Sequence, residues 1–196
     1  MNVDAFWELI EQSARETSTK DGRLGWLHEK LARQPVEEIL DFASWMQEAR
    51  LKADTYMVWG AARALDLVGG LDSVWYFHMW LVGLGRETFE RVTSDPDTLA
   101  EVPEVQSFLH LQRHRLPRTD EDWPEFEELD YVAVKVWPQV TGLDGDALAD
   151  ALQARGYMLD ALPNPTDEEW DFDDDEEAAR RLPRCTSYFR ELYGRA

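Results

Sequence analysis

From Phe6 onward, apolar residues recur at the three-and-four spacing of α-helices, with polar faces between them. Asp4 stands where a helix cap belongs, and Phe6, Trp7 and Ile10 form the first stripe. Leu24, Leu27, His28 and Leu31 form a second. Pro35 suits the first position of a third helix, and Glu37 and Glu38 suit the positive end of its dipole. The stripe of that helix is Val36, Ile39, Leu40, Ala43 and Met46, and residues 52–55 read as a polar turn. Residues 56–92 are the most apolar region and predict three helices, punctuated by Gly69-Gly70 and by Gly83 and Gly85. The middle one, 72–84, is apolar or aromatic from Val74 to Val82 apart from His78. A helix apolar on nearly all sides must be wrapped by others, so it is predicted to be the centre of the core.

Asp95-Pro96 is a further cap and first-position pair, and a helix from about 104 to 116 turns Val105, Phe108 and Leu109 inward. Phe126, Leu129, Ala133, Val136, Trp137 and Val140 keep helical period, with Pro138 expected to kink or shorten the helix. Gly142 stops it, and Asp144 starts a short helix through Leu148 and Leu152. Residues 164–177 read as a mobile acidic segment, although Thr166 and Glu169 have the spacing of a capping box. A last helix, 181–193, places Leu182, Cys185, Phe189 and Leu192 on one face. No alternating β-branched run and no internal repeat competes. The expected fold is all-α: one compact domain over 1–196, about eight helices around the central one, an acidic C-terminal loop and a last docking helix.

Charge changes this picture more than composition does. The chain carries 40 acidic and 20 basic residues, a formal net charge of -20. Residues 120–130 hold seven acids and 160–177 hold ten, both without a base, so acidic loops are expected at about 117–125 and 160–178. Those 17 removed, 23 acids face 20 bases, and the remainder is close to neutral. Without clusters of Lys and Arg, nucleic acid is excluded as a partner. The single Cys185 permits neither an internal disulfide nor a cysteine-based zinc site. The first residues lack a secretory pattern, and Arg63, Asp66, Asp72 and His78 interrupt the only apolar run near membrane length. No membrane partner is expected, and the expected location is cytoplasmic.

An ordered series of motifs resembles an uncharacterised bacterial family of domains of unknown function that are read as helical. It comprises Phe6-Trp7-x-Leu9-Ile10, Val58-Trp59-Gly60-Ala61-Ala62, Gly69-Gly70, and Trp80-Leu81-x-x-x-Gly85-Arg86-Glu87-x-Phe89. Tyr131-x-Ala133 with Thr141-Gly142, and Arg181-Leu182-Pro183-Arg184, extend it to about residue 184. The chain departs from the pattern at Leu71-Asp72-Ser73 and in a longer acidic loop at 118–124. The resemblance implies a helical architecture and assigns no activity to any residue.

Chemistry is sparse. His110 and His114 share a helical face but lack the adjacent glutamate of a zinc-protease motif, and they read as exposed polar residues. Gly83-x-Gly85 before Arg86 and Glu87 suits either an anion at a helix start or the end of the central helix, with Arg86 paired to Asp66 or Asp72. His78 reads as a core histidine with one hydrogen-bond partner, and Cys185 as buried and inert. No serine lies in a nucleophile-elbow motif, and no cofactor or metal ligand set is expected.

Two candidate sites remain. Residues 167–177, DEEWDFDDDEE, interleave Trp170 and Phe172 with acids that include Asp173, Asp174 and Asp175. The segment reads either as an arm that docks a basic protein or as a solvating loop whose Trp170 tucks back onto the domain. The leading expectation is therefore a non-catalytic binding or regulatory protein acting on a basic partner. The alternative is a small-ligand, anion or enzymatic pocket built from Trp59, Trp80, Arg86 and Glu87, and a homodimer through surface tryptophans is a third reading.

Overall fold

The computed structural model describes residues 1–159 and 162–194, so Asp160, the first acid of the second acidic stretch, lies outside the described residues. Among the described residues there are eleven α-helices, three short 3-10 turns and no strand. Asn2 rather than Asp4 caps α1 (Val3–Glu16), its side chain accepting the Ala5 N–H, and Asp4 stands in the first turn. α1 packs on α2 (Lys20–Leu31), and α3 (Val36–Ala53) packs on α1. Pro35 lies one position outside α3, at its cap.

The apolar region forms three helices, α4 (Tyr56–Ala64), α5 (Leu71–Gly83) and α6 (Arg86–Ser94). α5 is enclosed by α1, α3, α6 and the 3-10 turn Glu127–Leu129. Phe77, Met79, Leu81 and Val82 have no exposed surface, so its second half is the centre of the core. Its first turn is less covered, and Leu71 is exposed. There the buried Arg50 guanidinium lies 4.0 Å over the Trp75 ring and pairs with Asp130 at 2.9 Å.

Asp95-Pro96 opens a 3-10 turn, Pro96–Glu101, and a second proline, Pro103, begins α7 (Pro103–Arg113). The 126–140 stripe is divided. Phe126 donates its N–H to Tyr76 O at 3.0 Å and leads into the 3-10 turn, so α8 (Val132–Thr141) starts later than the periodicity predicts. Pro138 does not end α8, which runs on to a left-handed Gly142. The proline removes the hydrogen bond that Val134 O would accept, and Val134 is solvent-exposed, so water can replace it. α9 (Gly145–Ala154) follows, capped by Asp144.

The expected last helix is α11 (Pro183–Tyr193), which begins two residues later than predicted, and a further helix, α10 (Asp175–Arg181), precedes it in the acidic segment. The acidic segment thus folds in part, with Asp174 accepting the N–H groups of Glu176 and Glu177. The described α-helices number eleven against about eight expected, and α10 is the one that no apolar stripe announces. α11 is capped from across the fold: Asp97 accepts the N–H groups of Arg184 and Cys185, each at 2.9 Å. Burial opposes ionisation of Asp97, but the bonds from Cys185 and Arg184 outweigh it and hold the carboxyl below its ordinary value. No described helix is long and apolar enough to cross a membrane.

Candidate functional site

The acidic segment lies along α4. Asp167 accepts the Tyr56 N–H at 2.6 Å and the Met57 N–H at 3.2 Å, placing a carboxylate on the unpaired donors of the first turn. Thr55 satisfies a third donor, Val58 N–H, at 3.1 Å. The capping box expected from Thr166 to Glu169 opens no helix, and the neighbouring Asp167 serves α4 instead. Asn164 N–H donates to Asp54 at 2.7 Å and pins the start of the segment.

Trp170 completes the docking. It is 8% exposed, donates Nε1–H to Tyr56 O at 3.3 Å, and lays its ring on Gly60. A Cβ at residue 60 would lie 2.1 Å from Trp170 Cζ2, so glycine is required for this approach. Of the two readings of the segment, the structure takes the second for Trp170. It is not a free docking aromatic.

Its neighbours are less covered. Trp170 holds Phe172 edge-on at 4.8 Å, and Phe172 reaches Trp59 at 5.6 Å and Tyr56 at 6.3 Å, all half-buried. Tyr56 and Trp59 lie parallel, 4° apart, with centroids at 6.3 Å. These rings form one wall of an open cleft of about 840 Å³ between α4 and residues 163–173. Glu169, Asp171 and Asp173 line it with exposed side chains, facing a single basic residue, Arg63. Arg63 holds Asp173 and the Val68 carbonyl, each only at 3.4 Å. Neither Glu169 nor Asp171 has an ion-pair partner among the described residues. Asp174 and Asp175 serve the start of α10.

Trp59 and Phe172, taken from the two sequence candidates, therefore meet in one place, whereas Trp59, Trp80 and Arg86 do not. Trp80 is 6% exposed and lines a separate cleft with Arg23 and Phe126. Arg86 is paired with Asp4 at 2.6 Å and Glu90 at 2.7 Å rather than with Asp66 or Asp72. Those bonds, Glu90 first, hold its pKa above the ordinary value. Gly85, at φ +94°, makes the turn from α5 into α6, and Glu11 accepts the Arg86 N–H at 3.2 Å. The anion position at this helix start is thus filled by the chain's own carboxylate, and Glu87 stands exposed in the same turn.

The remaining titratable candidates are sealed or solvated. His78 has no exposed surface, and neither ring nitrogen has a hydrogen-bond partner, against the one expected. Burial, aided by the charge of Arg50, pushes its pKa down to about 3, so the ring is neutral. Cys185 is buried, and desolvation pushes its thiol pKa far up. His110 and His114 are exposed, with ring centroids 4.4 Å apart. Among the described residues no group of three His, Cys, Asp or Glu is placed to hold a metal ion.

Residues 1–139 match the family described as protein of unknown function, DUF4240. The chain belongs to that family. No curated protein and no solved structure matches it. The opening motif and the motifs at Trp59, Trp80 and Tyr131 lie within the DUF4240 match, whereas Thr141-Gly142 and the 181–184 motif lie beyond it. The DUF4240 match contains Tyr56, Trp59 and Arg63, one side of the cleft, and the opposite side, 163–173, lies outside it. Sequence reasoning missed this juxtaposition. Its one signal was Gly60, a residue that costs about 1 kcal/mol inside a helix and so marks a close approach.

Proposed function

We propose that this DUF4240 chain is a non-catalytic, cytoplasmic binding protein that engages a basic protein partner at the cleft between α4 and residues 163–173. The observation that carries the reading is the pairing of half-exposed Tyr56, Trp59 and Phe172 with the carboxylates of Glu169 and Asp171, which lack cationic partners among the described residues. Aromatic faces supply contact area and attract cations, while the net charge of -20 steers a basic partner toward the molecule. The non-catalytic part rests on access. The two groups with the most altered proton affinity among the core residues, His78 and Cys185, are fully buried and out of a substrate's reach.

The test is titration of a basic peptide, rich in arginine and lysine and free of acids, followed by calorimetry and tryptophan fluorescence at low and high salt. Binding should weaken about tenfold as salt screens the approach. Glu169→Gln with Asp171→Asn should weaken it further at low salt, and Trp59→Leu should reduce it at every salt. Binding that persists unchanged in the neutralised variant would remove the basis of the proposal.

A further inference from the structure

Building on that reading, we infer that the cleft is a receptor for an arginine side chain of the partner, in preference to lysine, and that Arg63 is its internal competitor. The first ground is the shape of the aromatic surface. An ammonium group is best held inside a box of rings that stand apart from one another. Here the rings touch each other: Tyr56 and Trp59 lie parallel, and Phe172 closes on Trp59 at 5.6 Å. They make a wall rather than a box. A flat guanidinium can stack on a wall while its edge donors reach carboxylates at the rim, whereas the compact, strongly hydrated ammonium of lysine gains little there. Glu169 and Asp171 line the same cleft with exposed side chains.

The second ground is how the chain satisfies its own cations. Arg181 lies 5.6 Å over the Trp170 ring and is ion-paired with Glu177 and Glu168. Arg50 lies over Trp75 and is ion-paired with Asp130. Lys30 and Lys52 also lie over rings, Trp26 and Phe89, but neither is ion-paired among the described residues, and Lys20 donates its ammonium to the backbone carbonyls of Asp120 and Trp123. Arg23 and Arg118 lie over rings without an ion pair, so among the described residues stacking is combined with carboxylate pairing by two of the four stacked arginines and by neither stacked lysine. One such site, Arg181 on Trp170, abuts the cleft wall through Phe172.

Arg63 supplies the third ground. It borders both this cleft and a neighbouring one of about 540 Å³ that reaches α11, and its two contacts, to Asp173 and Val68 O, are at the outer limit of a hydrogen bond. An arriving guanidinium meets a resident one that repels it and occupies Asp173. Removing Arg63 should accordingly strengthen binding of a cation. Were Arg63 itself a recognition residue, its removal would weaken binding instead.

The experiment compares two basic peptides of identical sequence, one carrying arginine and the other lysine at every cationic position. Each is titrated by calorimetry into wild type, Arg63→Gln, Arg63→Lys and Trp59→Leu, with melting curves confirming that each variant is folded. The arginine peptide should bind wild type about tenfold more tightly, in the range of a partly desolvated cation–ring contact. Arg63→Gln should tighten it several-fold, Arg63→Lys should change it less, and Trp59→Leu should erase the preference for arginine. Equal affinity for the two peptides, or weaker binding by Arg63→Gln, overturns the inference and leaves the broader acidic-cleft reading standing. Failure of both peptides to bind at any salt overturns both.

Discussion

Gly60→Ala isolates the contact that builds the cleft. In most helix interiors this change stabilises by about 1 kcal/mol, because alanine loses less backbone entropy than glycine. Here the new methyl would sit 2.1 Å from Trp170 Cζ2 and 2.9 Å from two further ring atoms. Carbon atoms need about 3.5 Å, so the indole must retreat by about 1.5 Å. Overpacking of that order costs about 1–3 kcal/mol, and the helix gain offsets part of it. The net expectation is a loss of up to about 2 kcal/mol. Trp170→Ala alone should cost about 3 kcal/mol, the low end for a buried tryptophan, because the segment also keeps its Asp167 and Asn164 anchors. In that background the clash is gone and Gly60→Ala should stabilise by about 1 kcal/mol, reversing its sign. Urea unfolding of the four proteins, followed by circular dichroism, measures the cycle, and the coupling should equal the overpacking cost, about 1–3 kcal/mol. If Gly60→Ala stabilises equally in both backgrounds, Trp170 does not occupy the place described.

Other expectations concern the core and the last helix. His78 is held neutral with a pKa of about 3, while the unfolded ring takes a proton near pH 6.5. The unfolded state therefore binds more protons below that pH. Wild type should lose up to about 1.4 kcal/mol per pH unit between about pH 6.5 and 5, and His78→Leu should flatten that slope in urea titrations. Asp97→Ala strips the cap from Arg184 and Cys185 and unpairs Arg184 from its most buried carboxylate. It should cost about 2–4 kcal/mol and speed hydrogen exchange along α11. Cys185 should resist thiol reagents in the native protein, and Asp97→Ala should accelerate labelling, because opening α11 is the route to the sulfur. Asp130→Asn leaves Arg50 without its carboxylate in a buried place and should cost about 3 kcal/mol in the same assay.

The fold was readable wherever burial imposed a period. α5 appeared as an apolar run broken only by His78, and its neighbours as stripes, because each had a core to face. The period misled at Phe126, which keeps helical spacing with Ala133 yet belongs to a 3-10 turn hung on Tyr76 O. α10 escaped notice because its first residues are acids, which reads as solvation until Asp174 is seen capping them. The Trp59–Trp80–Arg86 grouping rested on proximity along the chain. Trp59 faces the arm that returns 110 residues later, and Trp80 faces Arg23. Asp97 likewise caps a helix 88 residues away, a relation that no local spacing encodes.

Because the two walls of the cleft come from distant parts of the chain, one fixed on the core and the other carried on a tethered arm, the cleft exists only while the arm is docked. Occupancy and docking then share one thermodynamic cycle. A ligand that grips both walls must raise the free energy needed to peel the arm away, by about 2.7 kcal/mol at a hundredfold excess over its Kd. Protection of residues 163–173 would thus itself be a signal of binding for any ligand that spans both walls.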